Sequence, residues 1–227
     1  MHRSTSAAGS RWLVAALLMA GVLATAPAAS AYVPSYTNES QIPLRWTNSN
    51  CIMLRINSTG SDDINDGSDV AAVRSAVARW HEAVGSCSYL KFNILPDSAT
   101  ATATFNRKGD NENTVNWVEK GWKSEREHDP AAAGLTTVFF VDDPDSSRDG
   151  KILDADVELN GEFFSFSARA VGVPGKTDVE NTVVHELGHV MGLDHPCDDG
   201  LRQPVPKDHT GATIPKCSSS LPQELLD

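Results

Sequence analysis

The chain has 227 residues, of which 40% are hydrophobic and 22% charged, and its 30 acidic and 19 basic residues give a net charge of −11. This length is enough for one domain with an adequate core. The acidic balance argues against binding to nucleic acid or to an anionic membrane surface, because both attract basic proteins.

The first 31 residues are typical of a signal peptide. Arg3 and Arg11 accompany an apolar run at 12–24, and residues 29–31 give the small-x-small pattern that a signal peptidase cleaves. A membrane anchor is the weaker alternative, because the run is shorter than the roughly 20 residues that cross a bilayer. We predict a secreted, extracellular protein without later membrane association, whose mature part is one domain over 32–227.

All four cysteines follow the predicted cleavage site. An even number of cysteines in an exported protein is typical of disulfides, and four cysteines allow three connectivities. We favour Cys51 with Cys87 and Cys197 with Cys217, because each pair closes a local loop. A zinc site built from cysteines is the weaker alternative, since the chain has no Cys-x-x-Cys spacing.

The middle of the chain is predicted to mix strands with few helices. A helix is expected after the capping candidates Ser68 and Asp69, because apolar residues recur at helical spacing from Val70 to Val84. This helix is interpreted as scaffold, and His81 within it as a surface residue. The predicted strands are 51–56, 89–94, 101–105, 114–118, 136–141 and 152–160.

One link between these strands is rich in carboxylates. Asp142, Asp143, Asp145 and Asp149 lie within eight residues. Oxygen-rich loops of this kind can hold Ca²⁺, although a solvated acidic loop is the commoner outcome and no loop-specific ligand spacing is present. Calcium is therefore kept as a possible second cofactor.

A second helix is predicted to begin near Asp178. Thr177 stands three residues before Glu180, which is the spacing of a capping box. Its apolar stripe is Val179, Val183, Leu187 and Val190. Gly192 is well placed to end this helix in a left-handed turn.

This helix carries a metal-ligand pattern. His185 and His189 are four residues apart, so both imidazoles lie on one face and can reach a single cation. After Gly192 the chain can turn and bring in His195 as the third ligand. Three histidines and one open position describe a catalytic zinc site. Glu186 is predicted to be the general base of a metal-assisted amide hydrolysis.

Residues 185–195, HELGHVMGLDH, closely resemble the zinc-binding motif of the metzincin metallopeptidases. The ending Gly-Leu-Asp-His is most similar to the matrixin branch. The resemblance implies that His185, His189 and His195 bind Zn²⁺, that Glu186 is the catalytic base and that Gly192 provides the turn before the third ligand.

The resemblance also implies an α+β, α/β-like fold in one zincin-like domain, with its best-supported core at 41–195. A twisted mixed sheet with an antiparallel edge strand is expected beside two main helices, one of which carries the zinc motif. Residues 152–160 resemble the edge-strand region, where a polypeptide substrate binds in extended form. We expect a monomer that acts on polypeptides.

Some features of the family are not matched. Metzincins have a methionine turn below the ligands, but no methionine follows Met191 here. We expect either a substitute, with Leu221 as the candidate, or an incomplete C-terminal part. Neither the propeptide cysteine nor the histidine partners of a structural zinc site are evident, and His128 and His209 are interpreted as surface residues.

Three hypotheses follow from these observations. The leading one is a secreted zinc endopeptidase. The alternatives are a zinc-binding but catalytically silent domain, and an exported protein whose histidines bind metal for stability alone. Glu186 favours the first, because a pure binding site has no use for a base beside the metal.

Overall fold

The structure is a computed structural model that describes residues 32–47, 51–86, 88–169, 171–198, 200 and 204–217. The predicted signal peptide over 1–31 lies outside the described residues. In chain order the elements are β1 (Val33–Pro34), β2 (Cys51–Ile56), α1 (Ser68–Val84), β3 (Lys91–Ile94), β4 (Asn113–Val118), β5 (Gly134–Phe140), β6 (Ile152–Asn160), β7 (Phe166–Ser167), β8 (Thr177–Asp178), α2 (Val179–Val190) and β9 (Leu193–Asp194).

Five strands form one mixed sheet in the order β3-β2-β4-β6-β5. The first four run parallel to one another, whereas β5 is antiparallel to β6 and lies at one edge of the sheet. The predicted mixed α/β domain, with two helices and an antiparallel edge strand, is therefore confirmed at this level.

The position of the edge strand was predicted wrongly. Residues 152–160, expected in the edge-strand region, form β6, which has a neighbour on each side. Eight of its nine residues are buried, as an inner strand requires, whereas every residue of the true edge strand β5 is only half-buried.

Both helices contribute to one hydrophobic core with the sheet. Alternate residues of β2 and β6 face this core, as the two-residue period of a strand requires. The core residues with almost no exposed surface include Ile52, Leu54, Ile56, Val73, Ala155, Val157, Leu159, Val179, Val183 and Leu187. Within the described part of the chain, no helix is long and apolar enough to cross a membrane.

Residues 101–105 do not form the predicted strand. The segment keeps an alternating burial pattern. Its backbone, however, forms hydrogen bonds with side chains and not with a neighbouring strand. The N–H of Thr104 donates to Oδ2 of Asp156 over 3.0 Å, and Nδ2 of Asn57 donates to the carbonyl of Ala101 over 2.7 Å. Alternation alone could not reveal that the partner is a carboxylate.

The predicted capping residues of α1 are also corrected. Gly67, with φ of 75°, occupies the N-cap position, and Ser68 is already the first helical residue. The carboxylate of Asp69 instead accepts hydrogen bonds from the N–H of Ser61 and of Val70, both over 2.7 Å. It thereby joins the preceding loop to the first turn of the helix.

One of the two predicted disulfides is confirmed. Cys197 and Cys217 are joined, with their Cα atoms 4.9 Å apart. Cys87 lies outside the described residues, so the pairing of Cys51 with Cys87 stays a prediction.

The sheet face opposite the helices carries buried acids. Asp154 and Asp156 alternate along β6 with the core residues. Asp156 accepts hydrogen bonds from the N–H and Oγ1 of Thr114 over 2.9 and 2.6 Å. Asp154 is 0% exposed, and neither of its oxygens has a hydrogen-bond partner among the described residues. Burial, and secondarily the charge of Asp156, raises the pKa of Asp154 to about 7.

Replacing Asp154 with asparagine is expected to stabilise the protein in a pH-dependent way. Because the pKa of Asp154 is higher in the folded chain than in the unfolded chain, its ionisation costs stability as the pH rises from about 4 through about 7. The gain in unfolding free energy of Asp154→Asn over the wild type should grow across this range, to the order of a few kcal/mol. Urea titrations of the wild type and of Asp154→Asn, both in the presence of a chelator, measure this difference in unfolding free energy. The exposed Asp110→Asn is the control. A gain that is equal at pH 5 and pH 8 would contradict the expectation.

Candidate metal centre

Helix α2 starts where predicted but with a different cap. Asp178 is the N-cap, and its carboxylate accepts a hydrogen bond from the N–H of Asn181 over 2.8 Å. Thr177, the predicted cap, belongs to β8 and pairs with Phe166. The capping box is therefore wrong by one residue, because an aspartate follows the threonine and takes the same role.

The apolar stripe of α2 determines which side chains face away from the core. The four predicted stripe residues are fully buried, namely Val179, Val183, Leu187 and Val190. His185 and His189 lie on another face of the helix and are half-buried. This arrangement leaves both imidazoles accessible while the helix itself is anchored.

Gly192 redirects the chain after α2, as predicted. Its φ of 90° is unfavourable for any residue with a side chain, and a Cβ there would lie 3.0 Å from the carbonyl oxygen of Leu44. The carbonyl of Gly192 accepts a hydrogen bond from the N–H of Ser35 over 2.8 Å. The positive φ and the nearby carbonyl oxygen of Leu44 both restrict position 192 to glycine.

The segment that carries His195 is held on both sides. Before it, β9 pairs antiparallel with β1, and Oγ of Ser35 donates to the carbonyl of Leu193 over 3.1 Å. After it, Cys197 is tied to Cys217. Leu221, the predicted substitute for the missing methionine, lies outside the described residues.

The three predicted ligands converge. The Nε2 atom of His185 lies 3.1 Å from Nε2 of His195 and 3.2 Å from Nε2 of His189, and the third side of the triangle is also 3.2 Å. Tetrahedral coordination at 2.0 to 2.1 Å from each nitrogen requires edges of about 3.3 to 3.4 Å. The triangle therefore fits one small cation with little adjustment.

A hydrogen bond from His189 favours metal binding by the opposite ring nitrogen. Its Nδ1 lies 2.9 Å from the carbonyl oxygen of Leu193, which can only accept, so Nδ1 carries the proton. Nε2 then keeps its lone pair and faces the other two histidines. Ligating histidines in metal sites commonly have such a partner, which fixes the tautomer and the ring orientation.

Glu186 is close to the edge strand. The residue is 5% exposed, and Oγ1 of Thr136 donates to its Oε2 over 2.6 Å. Glu186 does not belong to the group of potential metal ligands formed by the three histidines. Because Glu186 lies outside this group of ligands, its position agrees with the role of a base and not with that of a metal ligand.

Two residues around Glu186 were not found from the sequence. Thr136 contacts the glutamate directly, and a Cβ at Gly134 would lie 2.8 Å from its Oε1. Both residues are on β5, and Thr136 is 50 positions before Glu186. No local spacing signals such a contact, since it depends on which strand forms the edge of the sheet.

The other histidines are partly reassigned. His128, predicted to be a surface residue, is half-buried: its side chain is 17% exposed, and its Nε2 lies 3.1 Å from Oε2 of Glu158. Arg126 also pairs with Glu158, over 2.8 Å, so the buried carboxylate on β6 has two partners from one loop. His81 and His209 are exposed, as predicted.

The acidic loop does not assemble a second ligand group among the described residues. Asp142 accepts hydrogen bonds from the N–H and Nδ2 of Asn38, over 3.2 and 2.7 Å. Asp149 accepts from the N–H of Asp143 over 3.0 Å and from Oγ of Ser40. These carboxylates anchor neighbouring chain segments, and calcium binding stays a prediction.

A scan against models of known protein families finds no match for this chain. A search of curated proteins finds no significant match either. Functional inference therefore depends on the residues of the site and on the motif that they form.

Proposed function

We propose that this chain is a secreted, matrixin-like zinc endopeptidase that hydrolyses peptide bonds in extended polypeptide segments. The observation that carries the proposal is the triangle of Nε2 atoms from His185, His189 and His195, with sides of 3.1 to 3.2 Å. Three imidazoles with room for a fourth ligand are typical of catalytic zinc, whereas structural zinc sites have four protein ligands.

The residues of this chain divide the work of amide hydrolysis. The three histidines hold the ion, which when bound acidifies water and polarises the substrate carbonyl. Glu186 accepts a proton from the attacking water at a carboxylate oxygen and then delivers it to the nitrogen of the leaving amine. The burial of Glu186 limits exchange of this proton with bulk water, so that the proton stays available for the leaving amine.

The edge strand β5 supports the assignment to extended substrates. Among the described residues it has a strand neighbour only on the side of β6, and the side chain of Thr136 donates a hydrogen bond to Glu186 on α2. A peptide added to the outer edge of β5 would be held by backbone hydrogen bonds and would not need a specific sequence. We expect such a peptide to pass close to Glu186.

Zinc dependence tests the proposal directly. Purified residues 32–227 should cleave casein or gelatin, lose this activity in a strong chelator and regain it when Zn²⁺ is added back. Cleavage that persists in the chelator would contradict the proposal, because the nucleophile would then not depend on the metal. Measuring bound zinc in the same samples links activity to occupancy.

A zinc-binding but silent domain is the second candidate. It is favoured by one observation: no methionine follows Met191 in this sequence, so the floor that metzincins have below their zinc ligands is not formed by that residue type. A chain that binds one zinc ion tightly but leaves casein and gelatin intact would support this candidate against the endopeptidase.

A further inference from the structure

We propose that Gly134 and Thr136 of the edge strand are positioning residues for Glu186, which together form a seat for its carboxylate. This inference rests on the proposed function and identifies two residues outside the zinc motif on which that function depends. The seat directs one oxygen, Oε2, to Thr136 and leaves the other, Oε1, for the proton of the attacking water.

The hydroxyl of Thr136 determines the orientation of the carboxylate. It lies 2.6 Å from Oε2 and 3.0 Å from the backbone carbonyl oxygen of the same glutamate. A hydroxyl has one proton, and the shorter distance to a charged acceptor makes Oε2 the stronger partner. Because a β-branched side chain has few χ1 rotamers, Thr136 offers this hydroxyl in a defined place.

Gly134 provides the space for the other half of the carboxylate. A Cβ at this position would lie 2.8 Å from Oε1 and 3.0 Å from Cγ of Glu186, and also 3.0 Å from Cγ2 of Thr182. Gly134 is not among the glycines with positive φ, so its backbone conformation does not require glycine. The close approach of Glu186, together with Thr182 beside it, is therefore the structural reason for glycine at this position.

Both seat residues lie on the same side of β5. Residues two apart in a strand project to one face, and in the register with β6 Gly134 is opposite Leu159 and Thr136 is opposite Val157. The strand that would pair with an extended peptide therefore also orients the base. Among the described residues, no hydrogen bond reaches Oε1, which keeps this oxygen available.

Thr136→Val tests the seat, since valine keeps the shape of threonine and removes the donor. We expect kcat on a peptide substrate to fall about tenfold or more, with KM and zinc content nearly unchanged, because the lost hydrogen bond orients the base and does not bind substrate. Thr136→Ser should restore most of the rate. The exposed Thr102→Val is the matched control.

Gly134→Ala should act in the same direction by displacing the carboxylate. Thermal unfolding of the zinc-loaded variants separates this effect from misfolding. If the wild type cleaves in a zinc-dependent manner but Thr136→Val is equally active, faster, or impaired only in KM, the seat is overturned and the proposed function stands. If the wild type binds zinc but does not cleave, the proposed function fails and the seat fails with it.

Discussion

Replacing Glu186 with glutamine is expected to lower kcat about 10² to 10⁴-fold while one zinc ion stays bound to each chain. Glutamine has nearly the same shape and can still accept the hydrogen bond from Thr136, but its amide cannot take a proton from water. The measurement is cleavage of a fluorogenic peptide, together with the zinc content of the purified variant.

A control on the same helix makes this result specific. Glu180 lies in the first turn of α2 and pairs with Arg79 over 3.0 Å. Glu180→Gln should retain nearly full activity. A Glu186→Gln variant that keeps more than about a tenth of the wild-type rate would show that another group acts as the base.

His189→Ala is expected to remove most of the bound zinc and, with it, the activity. This substitution deletes one corner of the Nε2 triangle, and with it two of the three sides, and also the hydrogen bond from Nδ1 to Leu193. Loss of a ligand should weaken zinc binding by more than the 10 to 100-fold that is typical for loss of a ligand's hydrogen-bond partner.

The zinc content after dialysis against a weak chelator measures this loss. His209→Ala is the matched control, because His209 is an exposed histidine that stacks on Tyr32 outside the triangle. Its zinc content should equal that of the wild type. Stoichiometric zinc in His189→Ala would remove His189 from the ligand set.

The parts of the site that could be predicted from sequence are those that depend on local geometry. The helical period located α2 and its buried stripe, and the spacing of His185 and His189 placed them on one accessible face. Gly192 could be recognised because a helix end with a left-handed residue is a short-range pattern. His195 follows three residues after Gly192, so its return toward the helix also depends on short-range geometry.

The parts that could not be predicted depend on the order of strands in the sheet. A strand pattern indicates which face is buried but not which strands are neighbours, so it cannot indicate that β5, and not β6, lies at the edge beside Glu186. The contact between Thr136 and Glu186 follows only once β5 is known to lie beside α2. The contact between His128 and Glu158 cannot be predicted for the same reason, since the two residues are thirty positions apart.

The most direct measurement is X-ray absorption at the zinc edge of the zinc-loaded protein. We expect three imidazole nitrogens and one oxygen at about 2.0 to 2.1 Å from the metal. A first shell with sulfur or with fewer than three imidazoles would contradict the account, as would purified protein that binds no zinc.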